Sequence, residues 1–159
     1  MKVCIVRHGS AEAGVDSDES RSLTEKGFQQ AQGVGRWIGS LIEDQQLSGS
    51  LQICHSPFLR ARQTAEAVSE ACGLKAIEIG LITPSGDIDQ LLEWLMTQDR
   101  DVVLVSHLPL VGRLAAKLVE GQVFDQPWSP AEAWVLEGDM AASGCMTVTK
   151  VWYPALEEG

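Results

Sequence analysis

Apolar residues recur in two rhythms along this chain of 159 residues. Val3-Cys4-Ile5-Val6, Leu51-Gln52-Ile53-Cys54 and Val102-Val103-Leu104-Val105 are short runs of strand character, and the last is continuous enough to be covered on both faces. Between them, apolar residues return every three to four positions, as one buried helical face requires: Phe28, Ala31, Gly35, Ile38, Leu41 and Ile42, then Ile88, Leu91, Leu92 and Leu95, then Val111, Leu114, Ala115, Leu118 and Val119. Thr24 and Asp87 stand where N-caps belong. Ser56-Pro57 predicts another helix start, with Ser56 as cap and Pro57 in the first turn, running to about Cys72 with Gly73 behind it. Gly33, Gly35 and Gly39 weaken the first helix by up to about 1 kcal/mol each but allow it close to its sheet.

A weak strand is expected at 76–79 and two more at 133–137 and 146–153, with loops at 10–22 and 122–130 and a frayed end from Pro154 onward. Strands alternating with amphipathic helices mean an α/β fold with a mostly parallel sheet. No repeat or composition break divides the chain, so residues 1–159 are read as a single domain.

Charge narrows the possible partners. A formal net charge of −10 repels nucleic acid and anionic membranes, so any anion site has to be local. Cys4, Cys54, Cys72 and Cys145 lack C-x-x-C spacing and are read as structural free thiols. The opening apolar stretch is too short for a signal peptide and no run is long enough to span a bilayer, so the expected location is cytoplasmic.

The candidate chemistry lies at strand ends. Arg7-His8 follows the first strand, His55 the second, with Arg60 just beyond, and Ser106-His107 the central one. Parallel strands bring their carboxyl ends to one edge of a sheet, where open α/β folds bind ligands, so these groups should converge. Basic Arg60 and Arg62 near a helix N-terminus face the positive end of its dipole, which a bound anion at Arg60 would justify, whereas Arg62 is expected to reach solvent. Arginine forks match phosphate oxygens, and an imidazole can attack phosphorus when its other N–H is held. His8 is therefore the candidate nucleophile. There is no Walker loop, no H-x-x-E-H and no carboxylate-rich metal set, so metal-assisted chemistry is not expected.

Arg7-His8-Gly9, the run from Ser56-Pro57-Phe58-Leu59-Arg60-Ala61-Arg62 to Ala65, and Ser106-His107 together resemble the signatures of the histidine phosphatase superfamily, which includes the phosphoglycerate mutases. The compact length, the segment 18–24 and the runs 83–87 and 106–112 resemble its small SixA-type phosphohistidine phosphatases. The resemblance implies a phosphoglycerate mutase-like three-layer α/β/α sandwich, His8 as the phosphorylated residue, and Arg7, Arg60 and His107 around the phosphoryl oxygens. It further implies substrate-binding positions at Gly9, Asp18 and Arg21, and no cofactor.

One position departs from the pattern. Where the superfamily's mutases and broad phosphatases place a glutamate or aspartate as general acid in the stretch after the second helix, and the SixA-type pattern has a glutamate just before Thr-Pro, this chain has Leu81 at the expected position, with Glu78 three residues earlier. Asp18, Glu78 and a water held by His107 stand as the remaining possible acids. General acid catalysis contributes about 10²–10⁴-fold, and an alkoxide leaving group needs it more than an imidazole does. The expected substrate is thus a phosphohistidine on a phosphotransfer protein. The competing readings are a phosphomonoesterase acting on small metabolites or on phosphoserine and phosphothreonine, a mutase, and a non-catalytic phosphate-binding module.

Overall fold

The computed structural model describes residues 1–14 and 16–158, so Val15 of the first loop and Gly159 of the expected frayed end lie outside the described residues. The chain forms β1 (Lys2–Arg7), α1 (Glu25–Glu43), β2 (Gln52–His55), α2 (Leu59–Cys72), β3 (Ala76–Glu78), α3 (Ile88–Met96), β4 (Val102–Ser106), α4 (Leu110–Glu120), β5 (Ala133–Glu137), β6 (Thr147–Trp152) and α5 (Pro154–Glu158). A 3₁₀ turn at Gly80–Ile82 has no counterpart in the apolar rhythm.

The strands form one six-stranded sheet in the order β3-β2-β4-β1-β5-β6. The first four run parallel, whereas β5 and β6 are antiparallel to their neighbours. Alternation along the strands separates two cores. Val3, Ile5, Val102 and Leu104 meet Leu91, Leu95, Leu110, Leu114 and Leu118 on the α3–α4 side. Cys4, Val6, Val103 and Val105 meet Val34, Ile38, Ala61, Ala65 and Val68 on the α1–α2 side. This is the expected three-layer sandwich, and each fully buried aliphatic side chain stabilises it by about 1.5–3 kcal/mol. Among the described residues no helix is long and apolar enough to cross a membrane.

Four local expectations are corrected. Helix α2 begins at Leu59 rather than Pro57, and the Ser56 hydroxyl accepts only the Phe58 N–H (3.2 Å), because Ser56 is buried at the strand end. Phe28 is 41% exposed and not on the buried face of α1. The glycines of α1 serve a helix–helix approach: a Cβ at Gly35 would stand 3.0 Å from the Ala67 carbonyl oxygen of α2. Lastly, residues 154–158 form α5 against α1, since proline suits a first helical position.

Candidate active site

The polar strand ends do meet. The His8 N–H donates to the Ser106 carbonyl (3.0 Å), fastening the end of β1 to the end of β4, and the His8 and His107 rings lie 5.1 Å apart between centroids. Arg60, in the first turn of α2, turns its Nε toward His8 Nε2 at 3.3 Å. Arg7 sends Nη1 to the Trp128 carbonyl (2.6 Å), while its Nε is buried without a partner.

His8 is held in one tautomer. Its Nδ1 lies 2.6 Å from the Gly9 carbonyl, which can only accept, so Nδ1 carries the proton and Nε2 keeps a lone pair facing Arg60. Burial, reinforced by Arg60, Arg7 and Arg21, lowers the His8 pKa to about 4 despite the hydrogen bond to Gly9. Burial first, then the His8 and Arg60 charges, lower that of His107 to about 3. Both rings are therefore neutral at pH 7. His107 Nε2 lies 2.8 Å from the Ser56 hydroxyl, and its Nδ1 is buried with no partner.

Close backbone packing supports the turn that follows His8. The Gly9 N–H donates to Thr64 Oγ1 (3.1 Å), which itself donates to the Arg60 carbonyl (2.8 Å), so α2 holds the turn after β1. A Cβ at Gly9 would lie 2.6 Å from the Gly27 carbonyl oxygen, and one at Gly27 only 2.0 Å from that of Ser10. These two positions let α1 close over the turn.

The segment between β1 and α1 reaches the site through Asp18. The Asp18 carboxylate accepts from Arg60 Nη2 (3.2 Å) and Arg21 Nη1 (3.1 Å), and its carbonyl accepts from Arg60 Nη1 (2.6 Å). Arg21, then Arg60, hold the Asp18 carboxyl below the ordinary carboxylate range, so it stands as an anion. A cavity of about 490 Å³ opens beside it, lined by Ala13, Gly14, Asp16, Ser17, Asp18 and Arg21.

Other predicted positions lie apart. Glu78 ends the edge strand, exposed, with β2 and β4 between it and β1, about 14 Å at ordinary strand spacing. Leu81 is fixed in the 3₁₀ turn by contact with the α3–α4 core, and the Ser106 hydroxyl ties that turn down at the Ile82 carbonyl (2.6 Å). His55 is buried and bonded within its own turn, Nδ1 to the Ser56 carbonyl at 2.8 Å. Arg62 is exposed and pairs with Glu66 at 3.5 Å, as expected of a residue facing solvent.

Sequence reasoning gave no role to Phe58, Thr64, Trp128 or Glu132. The Phe58 ring lies edge-on to His107 (5.1 Å) and beneath the Arg60 guanidinium (5.2 Å). Glu132 caps the turn before β5, accepting from Ser129 N–H (2.8 Å) and Trp134 Nε1–H (2.7 Å), and its charge favours the cationic form of Arg7. Only Thr64 had a readable signal, four residues beyond Arg60 on the same helix face.

Chemically, the cluster offers an unprotonated ring nitrogen, two arginines and a second neutral histidine, a set suited to a phosphoryl group. Among the described residues no three His, Cys, Asp or Glu side chains converge as a metal would need.

Comparison with known proteins agrees with this geometry. Residues 3–80 match the family model of the histidine phosphatase superfamily (branch 1). The chain is 35% identical over 129 residues to the phosphohistidine phosphatase SixA of Escherichia coli, covering 77% of this chain and 76% of that one. It is 36% identical over 126 residues to a SixA homolog of Haemophilus influenzae, covering 74% and 77%. The solved structure of the protein histidine phosphatase SixA complexed with tungstate superposes with a TM-score of 0.83 over 99% of each chain, at 29% identity. With the order of its signatures, its sheet and its relatives in agreement, the chain belongs to the histidine phosphatase superfamily.

Proposed function

We propose that this protein is a metal-independent phosphatase that removes the phosphoryl group from phosphohistidine on a phosphotransfer protein, through a covalent phosphohistidine at His8. The observation that carries the reading is the His8 Nδ1 hydrogen bond to Gly9, which leaves Nε2 unprotonated beside Arg60. Nε2 attacks phosphorus in line, and the phosphorus–nitrogen bond of the substrate breaks as the new one forms. Arg7 and Arg60 receive the equatorial oxygens, and His107 contributes a hydrogen bond from its unpartnered nitrogen. Water then attacks phosphorus, releasing phosphate and His8.

Two observations support a P–N substrate presented by a protein. The position of the superfamily's usual acid holds Leu81, half-buried against the core. The cavity beside Asp18 and Arg21 lies at the rim, where a large partner could present its phosphohistidine. Two of the chain's relatives carry phosphohistidine phosphatase names. The same reading places a soluble phosphoprotein, rather than nucleic acid or membrane, as the partner, and a cytoplasmic location.

The test is trapping of the intermediate. Quenched wild-type protein should carry an acid-labile, base-stable label recovered as 3-phosphohistidine, the isomer formed at Nε2, and His8→Ala should carry none. Absence of both label and turnover in the wild type would overturn the enzyme reading. Faster turnover of p-nitrophenyl phosphate or phosphoglycerate than of a phosphohistidine protein would overturn the choice of substrate.

A further inference from the structure

Arg60 contacts two groups besides His8, namely Phe58 and Asp18. Its guanidinium lies 5.2 Å from the centre of the Phe58 ring and 3.2 Å from the Asp18 carboxylate, while its Nε addresses His8 Nε2. One guanidinium thus touches the attacking nitrogen, an aromatic ring and an anion at once. The Asp18 side chain is 58% exposed and Phe58 is half-buried, so both are presented to an incoming group and not spent on the core. Asp18 is further steadied by Arg21, whose Nε is bound to the Glu12 carbonyl at 2.6 Å.

Resting on the phosphatase function proposed above, we infer that Asp18 and Phe58 form the leaving-group side of the site and select a planar, singly protonated imidazole. The ring of the substrate phosphohistidine lies against Phe58, and the N–H of its distal nitrogen donates to the Asp18 carboxylate. An aromatic face and a carboxylate are both attracted to a delocalised cation. The electron count needs no acid. As the His8 Nε2–phosphorus bond forms, the pair of the old phosphorus–nitrogen bond returns to the leaving nitrogen. The proton already on the distal nitrogen makes the departing group neutral imidazole. An alcohol in the same place leaves as an alkoxide with no cation for Asp18 to hold and no donor at Leu81. Leu81 and the anionic rim residue are thereby two halves of one selectivity.

The experiment compares kcat/KM for N-phosphoimidazole and the alkyl ester O-phosphoserine in the full-length protein and its variants. Asp18→Asn and Asp18→Ala should lower the ratio of the two by about 10- to 100-fold, the range expected for a hydrogen bond to a charged partner. Asp18→Glu should restore part of it. Phe58→Leu should lower the ratio by about threefold, as loss of an exposed cation–π contact does. If both Asp18 variants lose activity on the two substrates equally, Asp18 serves only to position Arg60 and the inference fails. An unchanged ratio overturns it as well. These failures are distinct from failure of the function itself, in which the wild type would show no preference for the P–N substrate.

Discussion

His8 and His107 are neutral imidazoles set beside the cations Arg7 and Arg60. Their folded pKa values, about 4 and about 3, lie below the ordinary value of 6.5. Above pH 6.5 both states of the chain leave these rings neutral, and their contribution to stability is constant. Between pH 6.5 and about 4 the unfolded chain takes up protons that the folded protein refuses. Stability then falls as pH falls, by about 1.4 kcal/mol per pH unit for each ring. Urea unfolding at pH 7, 6 and 5 should show this slope, and His107→Gln should remove about half of the histidine share. The same burial keeps His8 Nε2 free for attack at neutral pH, so one desolvation cost serves the proposed chemistry while narrowing the pH range of the fold.

The elements set the spacing that those residues need. Helix α1 touches two different neighbours through glycine, with different consequences. A Cβ at Gly27 would strike the Ser10 carbonyl oxygen at 2.0 Å, whereas one at Gly39 would meet the Ala71 carbonyl oxygen at an ordinary 3.4 Å. Gly27→Ala should therefore destabilise the protein by about 1–3 kcal/mol through overpacking and loosen the Gly9 turn, outweighing its gain in helix propensity. Gly39→Ala should keep that gain and stabilise by up to about 1 kcal/mol. Denaturant midpoints for both variants, with turnover for Gly27→Ala, check the contrast. What was legible follows the same division. Arg7, His8, Arg60 and His107 could be brought together from sequence because each sits at or just past the end of a strand, and parallel pairing aligns such ends. Phe58, Trp128 and Glu132 could not, because their places depend on where turns begin and end: two residues' delay in the start of α2 turns Ser56 from a helix cap into the partner of His107. Leu81 showed in the sequence as a missing acid, but only the 3₁₀ turn explains what holds it.

At the scale of the molecule, the mixed sheet brings together what alternation alone did not. An antiparallel β5 starts at the edge where β1 finishes, so the turn preceding it delivers Glu132 and Trp128 to Arg7. The frayed end expected from Pro154 instead closes against α1 as α5. Strand β1 precedes β4 and β5 in the chain by about a hundred residues or more, yet these are its pairing partners, with Val3 opposite Val102 on one side and Leu136 on the other. Contacts this distant in sequence are slow to form, because the intervening chain must be closed before they contribute. The strand that leads into His8 is thus made before its partners and seated only with them. In refolding followed by pulse-labelled amide exchange, protection of Val3–Val6 should arrive with that of Ala133–Leu136 and coincide with recovered activity. Early protection of β1 alone would contradict this order. A growing chain accordingly carries the Arg7-His8-Gly9 triplet on an unpaired segment until β4 and β5 have followed it.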